Sequence, residues 1–178
     1  MNYKRLINAW HIKATEEDYF SKFVFEYLAF IAHLKTQLYH DAKQDRQAIQ
    51  KLKQDVNIKN DYFEEIKSNE KLKNNWETII EELNKIPLGD ASRDLDNTQE
   101  IKWWNCSHDE LNQQTPQEAV KRKGVIRSID DWENMVEFWY AIRNNLFHGA
   151  KDPEVKRDKF AVEYGFKTLS ELMNILLK

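Results

Sequence analysis

Three polar residues near the end of the segment Tyr140 to Lys151, YAIRNNLFHGAK, have the means to do phosphate and proton chemistry. Arg143 brings a permanent charge with forked donors, Asn144 an amide, and His148 an imidazole that can give or take a proton. That set suits RNA cleavage. RNA carries its own nucleophile in the 2′-hydroxyl, so a protein need only orient it, move protons and stabilise negative charge in the transition state. DNA has no such hydroxyl.

Spacing constrains how the three can act. Asn144 and His148 are four residues apart and share a helix face, where the amide could orient the imidazole. Arg143 and His148 are five apart, about 140° around an ideal helix, and do not converge within one straight helix. Either the helix unwinds near Gly149, or two copies of the segment meet across a two-fold axis; both remain open. Arg143 also continues an apolar stripe, Ile129, Trp132, Val136 and Trp139 before it and Leu146 after it. A guanidinium in that slot must be paired, hydrogen-bonded or facing a wet cleft, and a structural pair with a carboxylate explains it as readily as a functional role. A histidine before a glycine that ends a helix is, at the least, well placed for the helix dipole.

Other chemistries find no motif. There is no glycine-rich phosphate loop, no His-Glu-x-x-His, no EF-hand loop and no Gly-x-Ser-x-Gly turn, so neither a cofactor nor a metal is expected. Cys106-Ser107-His108 reads as a solvated loop. Asp130, Asp131, Glu133 and Glu137 read as a solvated helix face with a capping role, not a metal site or glycosidase pair. Lys121, Arg122, Lys123 and Arg127 put four cations in seven residues with no acid among them. Arg143 to Lys159 holds five basic and three acidic residues, among them Lys151. These segments can bind a phosphodiester backbone, and the first equally suits the cation-favouring end of a helix.

The elements that must position these groups are helices. Four Gly and three Pro against six Trp, seven Tyr and nine Phe predict long helices with heavy aromatic packing, an all-α fold. Thr15 to Asp18 resembles a capping box, and Phe20, Phe23, Val24, Tyr27, Ile31, Leu34 and Leu38 follow at helical spacing, predicting a helix over about 16–40. A helix continues or restarts after Asp41, a break falls near Asn57 to Asp61, and a further helix ends before Pro87. Irregular structure is expected from Pro87 to about 115, and Thr115-Pro116 opens a short helix that Gly124 ends. The longest late helices fall at about 129–147, closed by Gly149, and 157–177.

The whole chain bounds the rest. Its 178 residues fit one domain, its single cysteine allows no internal disulfide, and a cytoplasmic setting is the default expectation. The greasiest run, FVFEYLAFIA, is broken by Glu26, so no membrane span is expected, and the first residues do not read as a signal peptide. A net charge of −3 means that any nucleic-acid site must be local.

Arg143-Asn144-Asn145-Leu146-Phe147-His148 resembles the signature of the HEPN superfamily, an arginine followed by four to six residues and a histidine, with a polar residue directly after the arginine. The aromatic-rich helix before it, then Lys151, Pro153, Arg157-Asp158 and a final apolar helix, are similar too, so the likeness covers about 128–178. Arg5 to His11 also fits the bare spacing, but an aliphatic Leu6 follows that arginine, no helix precedes it and no glycine follows, so it is set aside. The resemblance implies an up-and-down helical bundle that dimerises with the two motifs at the interface. It implies a metal-independent endoribonuclease, a toxin or antiviral-defence component with a possible cognate antitoxin or regulatory protein. In that reading Arg143 stabilises the phosphate, His148 transfers protons and Asn144 positions one of them. Lys121, Arg122, Lys123, Arg127 and Lys151 would then hold RNA. The rival expectations are a non-catalytic HEPN-like module that holds a partner protein or nucleotide, and an unrelated helical adaptor.

Overall fold

The computed structural model describes residues 3–14, 18–85, 88, 126–148 and 154–178. Of these, 84% are helical, in seven α-helices with no strand among the described residues, so the all-α bundle expected from the sequence is what forms. The helices are α1 (Tyr3–Ala14), α2 (Tyr19–His33), α3 (Asp45–Gln54), α4 (Val56–Ser68), α5 (Glu70–Lys85), α6 (Trp132–Phe147) and α7 (Lys156–Leu176). A single π-helical stretch, Leu34–Leu38, extends α2. No described helix is long and apolar enough to cross a membrane.

Short polar side chains set the boundaries. Asp18 starts α2, its carboxylate accepting from the backbone N–H of Phe20 at 2.9 Å and Ser21 at 3.3 Å, so the cap is the last residue of the expected box. Asp55 sits in an extended conformation between α3 and α4 and accepts from Asn57 and Ile58 N–H, both at 3.1 Å. The break expected near Asn57 to Asp61 therefore falls two residues earlier, and α4 runs straight through that stretch. Asn69 repeats the device, accepting from Leu72 N–H at 3.1 Å where α4 gives way to α5. The irregular segment from 87 to 115 and the short helix expected after Thr115 lie outside the described residues, apart from Leu88.

The core lies where α2, α4, α5, α6 and α7 meet. Trp139 is fully buried, with Trp76 at 5.6 Å, Tyr62 at 5.9 Å, Phe30 at 6.2 Å and Trp132 at 6.3 Å between ring centroids. Such rings bury large apolar areas but carry donors that must be satisfied. Trp139 donates to Thr168 Oγ1 at 2.9 Å, Trp76 to the Tyr62 hydroxyl at 3.0 Å, and Trp132 to the Leu52 carbonyl at 3.2 Å. Tyr62 in turn donates to the Thr168 carbonyl at 2.8 Å. Polar and aromatic packing thus lock α4, α5, α6 and α7 into one register. Gly165 allows the closest approach: a Cβ there would lie 2.6 Å from Ile142 Cδ1 and 3.1 Å from Phe23 Cε2.

Candidate functional site

α6 begins in the tryptophan core and ends at the polar cluster. Its last turn places Arg143 half-buried, Asn144 and Asn145 buried, and Phe147 59% exposed. His148 is the helix cap, with its backbone N–H bonded to the Asn144 carbonyl at 2.9 Å. The helix does not unwind before that point, so Arg143 and His148 stay on different sides of it.

Arg143 is held on three sides. One guanidinium nitrogen donates to Asn144 Oδ1 at 3.1 Å, another meets Asp45 Oδ2 at 3.4 Å, and the group lies 4.7 Å from the Phe147 ring centroid. Asp45 is the first residue of α3 and also accepts from Lys35 Nζ at 3.1 Å. Both Arg143 and Asp45 keep nearly a third of their side-chain surface in water. A pair of that kind is worth at most about 1 kcal/mol, so it positions the guanidinium without committing it. The apolar stripe is interrupted here because the slot looks onto this half-wet seam between α3 and α6.

Two neighbours extend the cluster. Tyr27 is fully buried with no hydrogen-bond partner for its hydroxyl among the described residues, and burial pushes that phenol well above its ordinary range against the opposing pull of the Arg143 charge. Arg46 lies 5.1 Å from the Tyr140 ring centroid and donates to Glu137 at 2.8 Å. Glu137 also accepts from Lys53 at 2.9 Å and is 4% exposed, so it belongs to a sealed ion cluster and not to the solvated face expected for it. Asp131 sits at the N-cap of α6 and its carboxylate accepts from Arg127 N–H at 2.8 Å and from the Asn134 side-chain amide, but makes no hydrogen bond to the first-turn backbone, so the side-chain cap expected of it does not form.

The structure brings Arg143 and Asn144 together and leaves His148 apart. The amide that spacing offered to the imidazole contacts the guanidinium instead, while the exposed His148 side chain has no partner among the described residues. Arg127 is exposed, well before the motif on the segment that leads into α6. Lys121, Arg122, Lys123 and Lys151 lie outside the described residues, as does Cys106-Ser107-His108. Among the described residues no group of three or more His, Cys, Asp or Glu side chains is placed to hold a metal ion. Sequence reasoning missed Asp45 and Tyr27. Asp45 is 98 residues from Arg143 and reads locally as an ordinary helix-start acid, and Tyr27 reads as one more core aromatic.

Compared with protein-family models, curated proteins and solved structures, the chain matches none. The functional reading therefore rests on its own residues.

Proposed function

We propose that the chain is a HEPN-like endoribonuclease that works as a two-fold dimer and cleaves RNA through the 2′-hydroxyl. The observation that carries this reading is the end of α6. Arg143 is braced by Asn144 and Asp45 yet half-open to water, and His148 is exposed, without a side-chain partner among the described residues, at the cap of the same helix. The 2′-hydroxyl loses its proton to a base and its oxygen attacks phosphorus. The bond to the 5′-oxygen breaks, and that oxygen takes a proton from His148. The products are a 2′,3′-cyclic phosphate and a 5′-hydroxyl. Arg143 donates to the phosphoryl oxygens as charge builds there, exchanging its weak contact with Asp45 for the substrate. Because Arg143 and His148 diverge around α6, the second copy supplies the complementary groups, with His148 of the partner subunit as the base. The exposed Phe147 is the apolar contact between copies.

The test is labelled RNA incubated in excess EDTA with wild type, His148→Ala and Arg143→Ala, each shown by light scattering to be dimeric. Wild type is expected to leave cyclic-phosphate ends, and each variant to lose a factor of about 10² to 10⁴ in rate. An inert wild type, or His148→Ala cutting as fast, overturns the enzyme reading. A monomer at micromolar concentration overturns the shared site. One observation favours a second reading, that the fold is a non-catalytic interaction module: Arg143 already has a carboxylate partner in Asp45. An inert but dimeric protein would select it.

A further inference from the structure

The outward face of α7 carries aromatic rings where a solvated helix would carry charges. Residues 156, 160, 163, 164 and 167 fall on the side away from Ala161, Gly165, Thr168 and Leu172, which are buried. Phe160 and Tyr164 lie on this side, half-buried with one edge against the core, and their rings are tilted by 31° with centroids 4.5 Å apart. The array continues onto the first turn of α2. Lys167 Nζ lies 4.6 Å from the Tyr164 centroid and 5.7 Å from that of Tyr19. Lys22 Nζ lies 5.2 Å from the Tyr19 ring and 5.7 Å from the Phe166 ring. Tyr19 and Phe166 are themselves 6.2 Å apart. Four rings and two ammonium groups thus form one connected array, Phe160, Tyr164, Lys167, Tyr19, Lys22 and Phe166 in turn.

The charges on this surface are only partly used. Lys167 pairs with Glu163, but Lys22 and Lys156 have no carboxylate partner among the described residues. Asp18, the nearest acid on α2, is occupied by Ser21, whose hydroxyl donates to it at 2.7 Å and holds its pKa below the usual range. Rings that keep part of their surface in water, Tyr19 the most open at 37%, interleaved with cations suit a ligand with flat bases on a phosphate chain, because a base can stack on an open ring and a phosphate attracts an ammonium. A duplex hides its base faces. A single strand does not.

We infer that the α7–α2 face, with Phe160, Tyr164, Tyr19, Lys22 and Lys167, is a stacking platform for single-stranded nucleic acid. The inference rests on the ribonuclease reading in one respect only, that the strand continues toward His148. α7 starts at Lys156, shortly after His148 in the chain, and a strand that runs from the platform to the motif would be unpaired RNA.

The probe is a fluorescent single-stranded DNA oligonucleotide, which offers bases and phosphates but no 2′-hydroxyl to cut, used with the intact wild-type chain. The same strand annealed into a duplex is the control. The single strand is expected to bind more tightly than the duplex. Phe160→Ala or Tyr164→Ala should weaken it roughly 5- to 150-fold for each base that loses its stack, while Tyr164→Phe keeps wild-type affinity. Lys22→Gln should leave the fold unchanged and reduce the slope of log affinity against log salt by about 0.7. Equal binding of duplex, or wild-type affinity in both Tyr164→Ala and Lys22→Gln, overturns the platform. RNA cleavage that persists in those variants then leaves the ribonuclease reading standing. Single-strand binding that needs these residues, with no cleavage by wild type, keeps the platform and removes the ribonuclease.

Discussion

Two carboxylates on the seam between α3 and α6 receive the same kind of partners and end in opposite conditions. Glu137 is sealed, its side chain 6% exposed, with Lys53, 2% exposed, at 2.9 Å and the more open Arg46, 28% exposed, at 2.8 Å. Asp45 receives Lys35 at 3.1 Å and Arg143 at 3.4 Å, all three side chains between 28% and 30% exposed. Burial alone would raise the Glu137 pKa, but the two cations outweigh it and hold the carboxyl below its usual range. The difference shows how one helix can carry a fixed clamp and an adjustable one. Where water is excluded, neither charge can leave its partner without a large penalty. Where water enters, an arginine can exchange its carboxylate for a phosphate.

The strongest way to break that contrast is Glu137→Ala. It leaves the buried Lys53 with only the longer pair to the more exposed Glu133, at 3.7 Å, and should cost up to about 3–5 kcal/mol in urea denaturation. A loss under about 1 kcal/mol would put Glu137 among the ordinary surface pairs. Next comes pH, read on a third carboxylate. Glu26 on α2 is fully buried and its partner is titratable: His11 of α1 reaches both its oxygens, at 2.8 and 2.9 Å. The hydrogen bond to Glu26 raises the His11 pKa, and desolvation raises that of Glu26.

Both shifts have the same sign, since a group whose folded pKa is raised stabilises at low pH and loses that contribution as pH climbs through the folded value. Packing of α1 should therefore weaken from about pH 6.5 upward as His11 loses its proton beside a buried carboxylate. A loss of order 1 kcal/mol between pH 6 and 9 is expected, the size of a charge-assisted hydrogen bond, and Glu26→Gln should flatten the dependence. Glu137, with its lowered pKa, loses stability only toward acid, so the Glu26→Gln variant should be level over that range. The smallest effect is expected at the open clamp. A double-mutant cycle on Asp45→Asn and Arg143→Gln, read by thermal unfolding, should give a coupling under about 1 kcal/mol. A coupling of 3 kcal/mol or more would make Asp45 a second sealed clamp and leave Arg143 too firmly held to serve a phosphate.

Local pattern determined much of this molecule. Few glycines, abundant aromatics and apolar residues every third or fourth position were enough for an all-α fold, for helices at about 129–147 and 157–177, and for an anomalous arginine at 143, because these depend on periodicity along one chain segment. Caps were less legible: several acids compete for each helix start, and only backbone geometry selected Asp18 and Asp55. What the tertiary structure alone decided are the partners. Asp45 and Arg46 come to Arg143 and Glu137 from nearly a hundred residues away, and nothing in either segment names the other. Whether a carboxylate is solvated or sealed is likewise set by what packs over it, which is why Glu137, read along its own helix as a surface acid, proved to be the most tightly enclosed charge on α6.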